Sequence, residues 1–385
     1  MKLSGIRVLD LTQFLPGPYL TRMMADHGAE VVKVETPDGE PTRNMGTVIA
    51  GQTGYFRETQ RNKKSIVLNL KTAEDRESLL QLAAQSDVFV ESFRPGVVDR
   101  LGIGYATVRE RAPGIVYCSI SAFGQTGPLR ERPAHDLSVQ AMTGYLALGR
   151  GADGVPALPG VQAADMAAAL TALSGILMAL LRRAQTGQGD YLDVAMLDSL
   201  LAFTPHFADR VFVHGNAPVP AIERWWGGES FYNVYRTADG GYVTLGGSEP
   251  KFVENLLTAL GRPDLIDLAT RGHGSHQEPV KAFLTEVFAT RTRDKWTEWF
   301  ATRDVCYAPV YDLKEAYQDP QVRARKMVLD DPEAGGRLGT PIKFAAEPGR
   351  ESGRAPGLGE HTDEILRSIG RVAAARTGNK GGDVV

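Results

Sequence analysis

Short apolar runs alternate with helix-like segments through residues 6–121, and this rhythm limits the possible folds more than any other feature. The runs are IRVLDL (6–11), AEVVKVE (29–35), KSIVLNL (64–70), SDVFVESF (86–93) and IVYCSIS (115–121). Between them lie helical patterns over Tyr19–His27, with Gly28 as a suitable C-terminal stop, and over Ala73–Ala84. Strand and helix alternating at this spacing predict a parallel sheet with right-handed crossovers, an α/β fold. A ligand of such a sheet is expected beyond the carboxyl ends of its strands.

The middle of the chain changes texture. Helical patterning dominates 163–212, and GESFYNVYR–TADGG–YVTLGG then reads as a β-hairpin. Helical stretches are expected near 249–260, 278–290 and 294–302, so 216–310 reads as a smaller α+β domain. DVCYAPVYDL (304–313) reads as a strand returning to the first domain. The expected division is 1–215 for a large domain, 216–310 for a small one, 311–370 for a return to the large domain, and 371–385 for a flexible tail.

Composition excludes several functions. A net charge of -3 gives no electrostatic support for nucleic-acid binding. With only Cys118 and Cys306 and no Cys/His cluster, neither a disulfide framework nor a metal site is expected, and a reducing compartment, the cytoplasm, fits. Met1 runs almost directly into the first strand, so no signal peptide is expected. The apolar run Met166–Leu181 is rich in alanine and interrupted by Thr and Ser, which favours a buried helix over a membrane span.

The first turn, LTQFLPGP, lacks the GxGxxG pattern, so NAD loses its main sequence support. Glu35 ends the second strand, where a solvated terminus is favoured over a ribose contact. Neither a P-loop nor a GxSxG elbow is present. The basic stretch RNKKS (61–65) and the segment FRPG (93–96) suit phosphate oxygens, and a solvated charge run is the equal alternative. The stretch 132–183 brings His135 and Asp165 beside long small-residue runs, a candidate pair of proton carriers. Singly, Asp165 reads as a helix N-cap and His135–Asp136 as a helix start with Asp136 as cap.

Taken together, GIRVLDLTQFLPGP, MADHGAEVVKVE, RNKKSIVLNLK, DVFVESFRPGVVDRLGIGY, YCSISAFGQTGP, AADMAAAL, TGQGDYLDVAML, DVCYAPVYDLKEAYQDPQVRARKM and GLGEHTDEIL resemble the family III CoA-transferase (CaiB/BaiF) superfamily, in order and over nearly the whole chain. The resemblance implies a Rossmann-like large domain plus a smaller α+β domain in an interlocked homodimer. It implies coenzyme A, carried as acyl-CoA substrate, with no metal, no NAD and no membrane partner. By position it implies CoA contacts at Arg43, Arg61, Lys64 and Arg94.

The resemblance also implies catalytic roles for Asp165, His135 and Glu249. In the racemase branch, which the AHD segment and the FLPGP turn resemble, His135 and Asp165 flank the alpha carbon of a 2-methylacyl-CoA thioester and exchange its proton. Glu249 then orients the imidazole, and backbone N–H groups at the start of the helix carrying Asp165 bind the enolate. In the alternative, a CoA transferase, Asp165 is a nucleophile that forms an aspartyl-CoA intermediate, covered by glycine-rich backbone at Gly227–Gly228 or Gly246–Gly247. DLSVQAMTGYLAL, with Gln140, resembles the transferase pattern. The expected activity is racemisation, with transfer as the alternative.

Overall fold

The computed structural model describes residues 1–150, 154–219, 222–350 and 352–371. Six strands form one sheet: β1 (Arg7–Asp10), β2 (Glu30–Glu35), β3 (Lys64–Val67), β4 (Val88–Glu91), β5 (Val116–Ser121) and β6 (Asp190–Ala195). Their order is β3-β2-β1-β4-β5-β6, and every pair is parallel. This is the strand order of dinucleotide-binding folds, with a topological switch point at β1, which runs between β2 and β4.

The apolar runs were legible because both faces of the sheet are covered, so neighbouring residues of either parity must be apolar. Val8, Val31, Val88 and Val116 point to one face, where they meet Leu20 and Met23 of α1 (Pro16–Asp26). Leu9, Val32, Phe89 and Tyr117 point to the other, against Leu79 and Leu82 of a helix over Ala73–Ala83. The C-terminal return closes this second face. Ile365 and Leu366 join its core, and His361 accepts the Ser65 N–H at Nδ1 (3.2 Å).

A 24-residue helix, α2 (Ala163–Thr186), is long and apolar enough to cross a membrane by length and composition. Its buried side, Ala164, Ala167, Ala168, Ala172 and Ile176, packs into the first core; Leu177, Met178 and Leu181 are exposed. The small side chains let it lie close to the sheet: a Cβ on Gly175 would stand 2.6 Å from Leu192.

Contacts divide the chain into two units. The first holds Met1–Thr143, Gly160–Phe203 and the chain from Arg323; the second holds Gly144–Pro159 and Thr204–Val322. The second unit therefore begins earlier and ends later than the expected 216–310, and it includes a segment before α2. Its sheet joins the expected hairpin, Tyr232–Arg236 and Tyr242–Gly246, to a third strand, Tyr307–Pro309. That strand does not return to the first unit. It pairs antiparallel with Tyr242–Gly246, with Gly246 N–H donating to the Cys306 carbonyl (2.8 Å). Trp296, Phe288, Tyr235 and Val243 fill this unit's own core. Of the expected tail, only Arg371 falls within the described residues.

Candidate active site

The loops after β1 and β4, beside the switch point, enclose a cavity of about 490 Å³. Gln13, Phe14 and Pro16 line it from the β1 side, Ser92–Pro95 from the β4 side, and Ile120–Ala122 from the end of β5. Arg130, Arg132 and His135 close a further wall, and Asp165 of α2 reaches the same space. Thus His135 and Asp165, 30 residues apart in sequence, share one cavity at the place where an open α/β sheet binds ligands.

Asp165 stands in the first turn of α2 and is not its N-cap; Gln162 holds that position, with no side-chain cap. The cap comes from Asp136. One carboxylate oxygen accepts the N–H groups of Ala164 (2.8 Å) and Asp165 (3.2 Å), and the other accepts Gln140 Nε2 (2.6 Å). Asp136 is the first residue of a short helix, Asp136–Met142, whose N-cap position is held by His135 without a side-chain cap bond, so Asp136 is not that helix's own cap. It satisfies donors 28 residues away, where an anion is also favoured by the helix dipole. The remaining N–H groups of the first turn are engaged too, Ala163 by the Val161 carbonyl and Met166 by that of Gln162. The start of α2 is therefore not available as the enolate-binding site expected from sequence.

Among the described residues, the Asp165 carboxylate accepts no hydrogen bond. Burial, and secondly the charge of Asp136, push it up to about 7. A lone carboxylate, half removed from water and unsolvated by donors, is a stronger nucleophile once ionised than a hydrogen-bonded one. Tyr55, which sequence reasoning missed, stands close enough to feel it. Burial, then the charges of Asp165 and Glu40, push the Tyr55 hydroxyl up to about 12.

His135 is exposed at the cavity wall, its ring meeting that of Phe14 edge-on (centroids 5.8 Å apart, 86° between planes). Arg94, Arg130 and Arg132 are exposed in the same cavity, Arg130 in an ion pair with Glu131 (3.3 Å), giving the cavity an arginine rim. Glu249 belongs to the second unit, where it precedes the helix Pro250–Ala259 and its charge contributes to pushing the Cys306 thiol up, after burial.

Of the four expected CoA contacts, only Arg94 lines this cavity. Arg43 grips Glu35 through two bonds of 2.7 Å and stacks on Phe56. Arg61 is buried in a two-bond pair with Asp26. Lys64 bridges Glu30 (3.0 Å) and Glu364 (2.8 Å). These three are committed to pairs inside the chain, and Glu35 is a buried partner rather than a solvated strand end. Much of the RNKKS run is turned inward. Lys63 is buried and donates to Asp10, Thr21, Gln60 and the Pro18 carbonyl. Burial, and the nearby Lys33, lower it to about 8 against the opposing pull of Asp10.

The family model for CoA-transferase family III matches residues 3–362. The chain is similar to the succinyl-CoA:glutarate CoA-transferase of Homo sapiens, 33% identical over 95% of this chain and 86% of that one. It is similar also to the succinyl-CoA:mesaconate CoA-transferase of Haloarcula marismortui, 34% identical over 96% of each chain. A crystal structure of a CaiB/BaiF family protein from Brucella suis matches with a TM-score of 0.83 at 31% identity, covering 95% of this chain and 99% of that one. Both named relatives carry out transfer, which reverses the order of the two chemistries expected from sequence.

Proposed function

As the chain belongs to CoA-transferase family III and is an enzyme of that family, we propose that it moves coenzyme A between carboxylic acids, with dicarboxylic acids as its substrate class. The observation that carries this reading is the Asp165 carboxylate, unpaired among the described residues, inside an arginine-rimmed cavity at the switch point. Two relatives named for succinyl, glutarate and mesaconate groups support the dicarboxylic class, since a free distal carboxylate suits Arg132.

In this mechanism an Asp165 oxygen attacks the donor thioester carbonyl and expels CoA thiolate, leaving a mixed anhydride. The thiolate then attacks the aspartyl carbonyl, releasing the donor acid as its carboxylate and leaving an aspartyl-CoA thioester. The acceptor carboxylate attacks that thioester, expelling thiolate again. The thiolate takes the new acyl group and returns Asp165 as carboxylate. Asp136 holds the backbone of the nucleophile while this happens. Arg94 is the proposed CoA contact, His135 faces the acyl group, and Glu249 is proposed to orient His135 on the resemblance alone. The exposed Leu177, Met178 and Leu181 of α2 support the proposed homodimer. The two unpaired cysteines, Cys118 and Cys306, support the proposed cytoplasmic setting.

The test is to incubate succinyl-CoA with glutarate, mesaconate or a monocarboxylic acid and follow acyl-CoA species by mass spectrometry. New thioesters of the dicarboxylic acids are expected. Absence of any exchange across the panel would contradict the reading.

A further inference from the structure

Phe14 occupies the left-handed region of backbone space, with φ at 64°. For a residue with a Cβ this conformation is strained, and glycine is the usual occupant. Core packing does not account for the choice of phenylalanine, because its ring is only half-buried and joins neither core cluster of the first unit. The ring instead forms part of the cavity wall, edge-on to His135.

The conformation is held from behind by a buried chain of bonds. Phe14 N–H donates to Glu40 Oε1 (2.9 Å), and Glu40 is only 2% exposed. Thr42 Oγ1 donates to the other Glu40 oxygen, and Glu40 N–H donates to Glu35 Oε2 (3.0 Å). Arg43 fixes Glu35 in turn. On either side, Gln13 N–H donates to Ser92 Oγ (3.1 Å), and the buried Lys33 and Lys63 hold the Thr12 and Pro18 carbonyls. A turn fixed at so many points keeps a strained residue that nothing in the core requires, the usual mark of a constraint imposed by function.

We infer that Phe14 is a specificity-determining wall of the acyl site, and that Glu40 is a positioning residue that holds its ring against His135. The Phe14 ring limits the width of acyl group that can lie between His135 and Asp165, so narrow, linear acids are preferred over branched ones. Glu40 acts on this wall through its bond to the Phe14 N–H. This deepens the proposed transferase reading and rests on it for the identity of the ligand, but the Phe14–Glu40 linkage has a readout of its own.

The experiment uses the full chain and the variants Phe14→Gly, Glu40→Gln, Glu40→Ala and Phe14→Gly/Glu40→Ala. The His135 imidazole resonance, identified as the one lost in His135→Gln, reports ring contact whether or not CoA is exchanged. The kcat/KM ratio for a linear against a 2-methyl-branched dicarboxylic acid reports selectivity. Phe14→Gly is expected to shift the resonance, raise or preserve the melting temperature, and relax the ratio about tenfold, the scale of a methyl group in an apolar pocket. Glu40→Ala should reproduce that shift, Glu40→Gln should restore the wild-type resonance through its amide oxygen, and the double variant should shift no further than Phe14→Gly. An unshifted resonance in Phe14→Gly overturns the inference, and this variant makes no demand on Glu40 should Glu40→Ala not fold. A Glu40→Ala protein that melts lower but keeps the wild-type resonance overturns the role of Glu40. Wild-type exchange with an unchanged ratio in Phe14→Gly overturns the wall while leaving the transferase reading intact.

Discussion

The carboxylate of Asp136 holds Asp165 by its backbone N–H while its charge opposes ionisation of the Asp165 side chain. One residue thus fixes the proposed nucleophile in place and delays its ionisation. With Asp165 pushed up to about 7, exchange is expected to rise with pH through that value, because only the carboxylate attacks. Asp136→Asn keeps an oxygen for the Ala164 and Asp165 N–H groups and removes the charge. Its kcat/KM profile should move to lower pH, with the plateau largely kept; an unmoved midpoint would contradict the electrostatic half of this relationship. Asp136→Ala should in addition lose the helix cap, about 0.5–2 kcal/mol of stability.

The same raised group carries a stability signature. Between its ordinary value of 3.8 and about 7, the unfolded chain has released the Asp165 proton while the folded chain still holds it. Stability contributed by this group therefore falls as pH rises across that window and stays low above it. Glu91, buried beneath the cavity and pushed up to about 7 from 4.5, acts in the same direction. Asp165→Asn and Glu91→Gln should each raise the melting temperature at pH 8 and leave it almost unchanged at pH 4. Calorimetry across that range is the check, and Asp165→Asn should also abolish exchange.

Much of the first unit was legible because burial on both sheet faces writes itself as continuous apolar runs, as in Val88–Val90. β6 escaped notice because it is an edge strand with Asp190 and Asp193 in it and helical patterning on either side. The strand Tyr307–Pro309 was recognised as a strand and given the wrong neighbour, since pairing partners leave no trace in a three-residue segment. In the site, Asp165 and His135 carried a motif, whereas Asp136 looked like a local cap because the N–H groups it caps lie 28 and 29 residues away. Lys63 and Lys64 stand side by side in one basic run, yet strand geometry sends one into the core and the other to the surface. Tyr55 had no motif at all; only the fold brings it near Asp165.

Arg94 is the expected CoA contact that reaches the cavity with no partner in the chain among the described residues. Arg94→Ala should raise KM for acyl-CoA about tenfold, the loss of roughly one charge-assisted hydrogen bond, with kcat little changed. The effect should shrink at high salt. Equal loss of kcat and kcat/KM in steady-state kinetics would place Arg94 at the reacting centre instead.

His135 separates the two chemistries of the family resemblance. Anhydride formation on Asp165 needs no proton carrier on the opposite face, so His135→Ala should retain exchange to within about tenfold. In heavy water, neither wild type nor variant should place deuterium at the alpha carbon of a 2-methylacyl-CoA. Deuterium uptake by the wild type that vanishes in His135→Ala would restore proton transfer as the reaction.

The most direct measurement is the mass of the protein itself after rapid quenching with succinyl-CoA, followed by peptide mapping. Asp165 is predicted to carry coenzyme A through a thioester, absent in Asp165→Asn and converted by hydroxylamine to a hydroxamate on the same residue. A protein that exchanges CoA between acids with Asp165 unmodified at every quench time would contradict the mechanism.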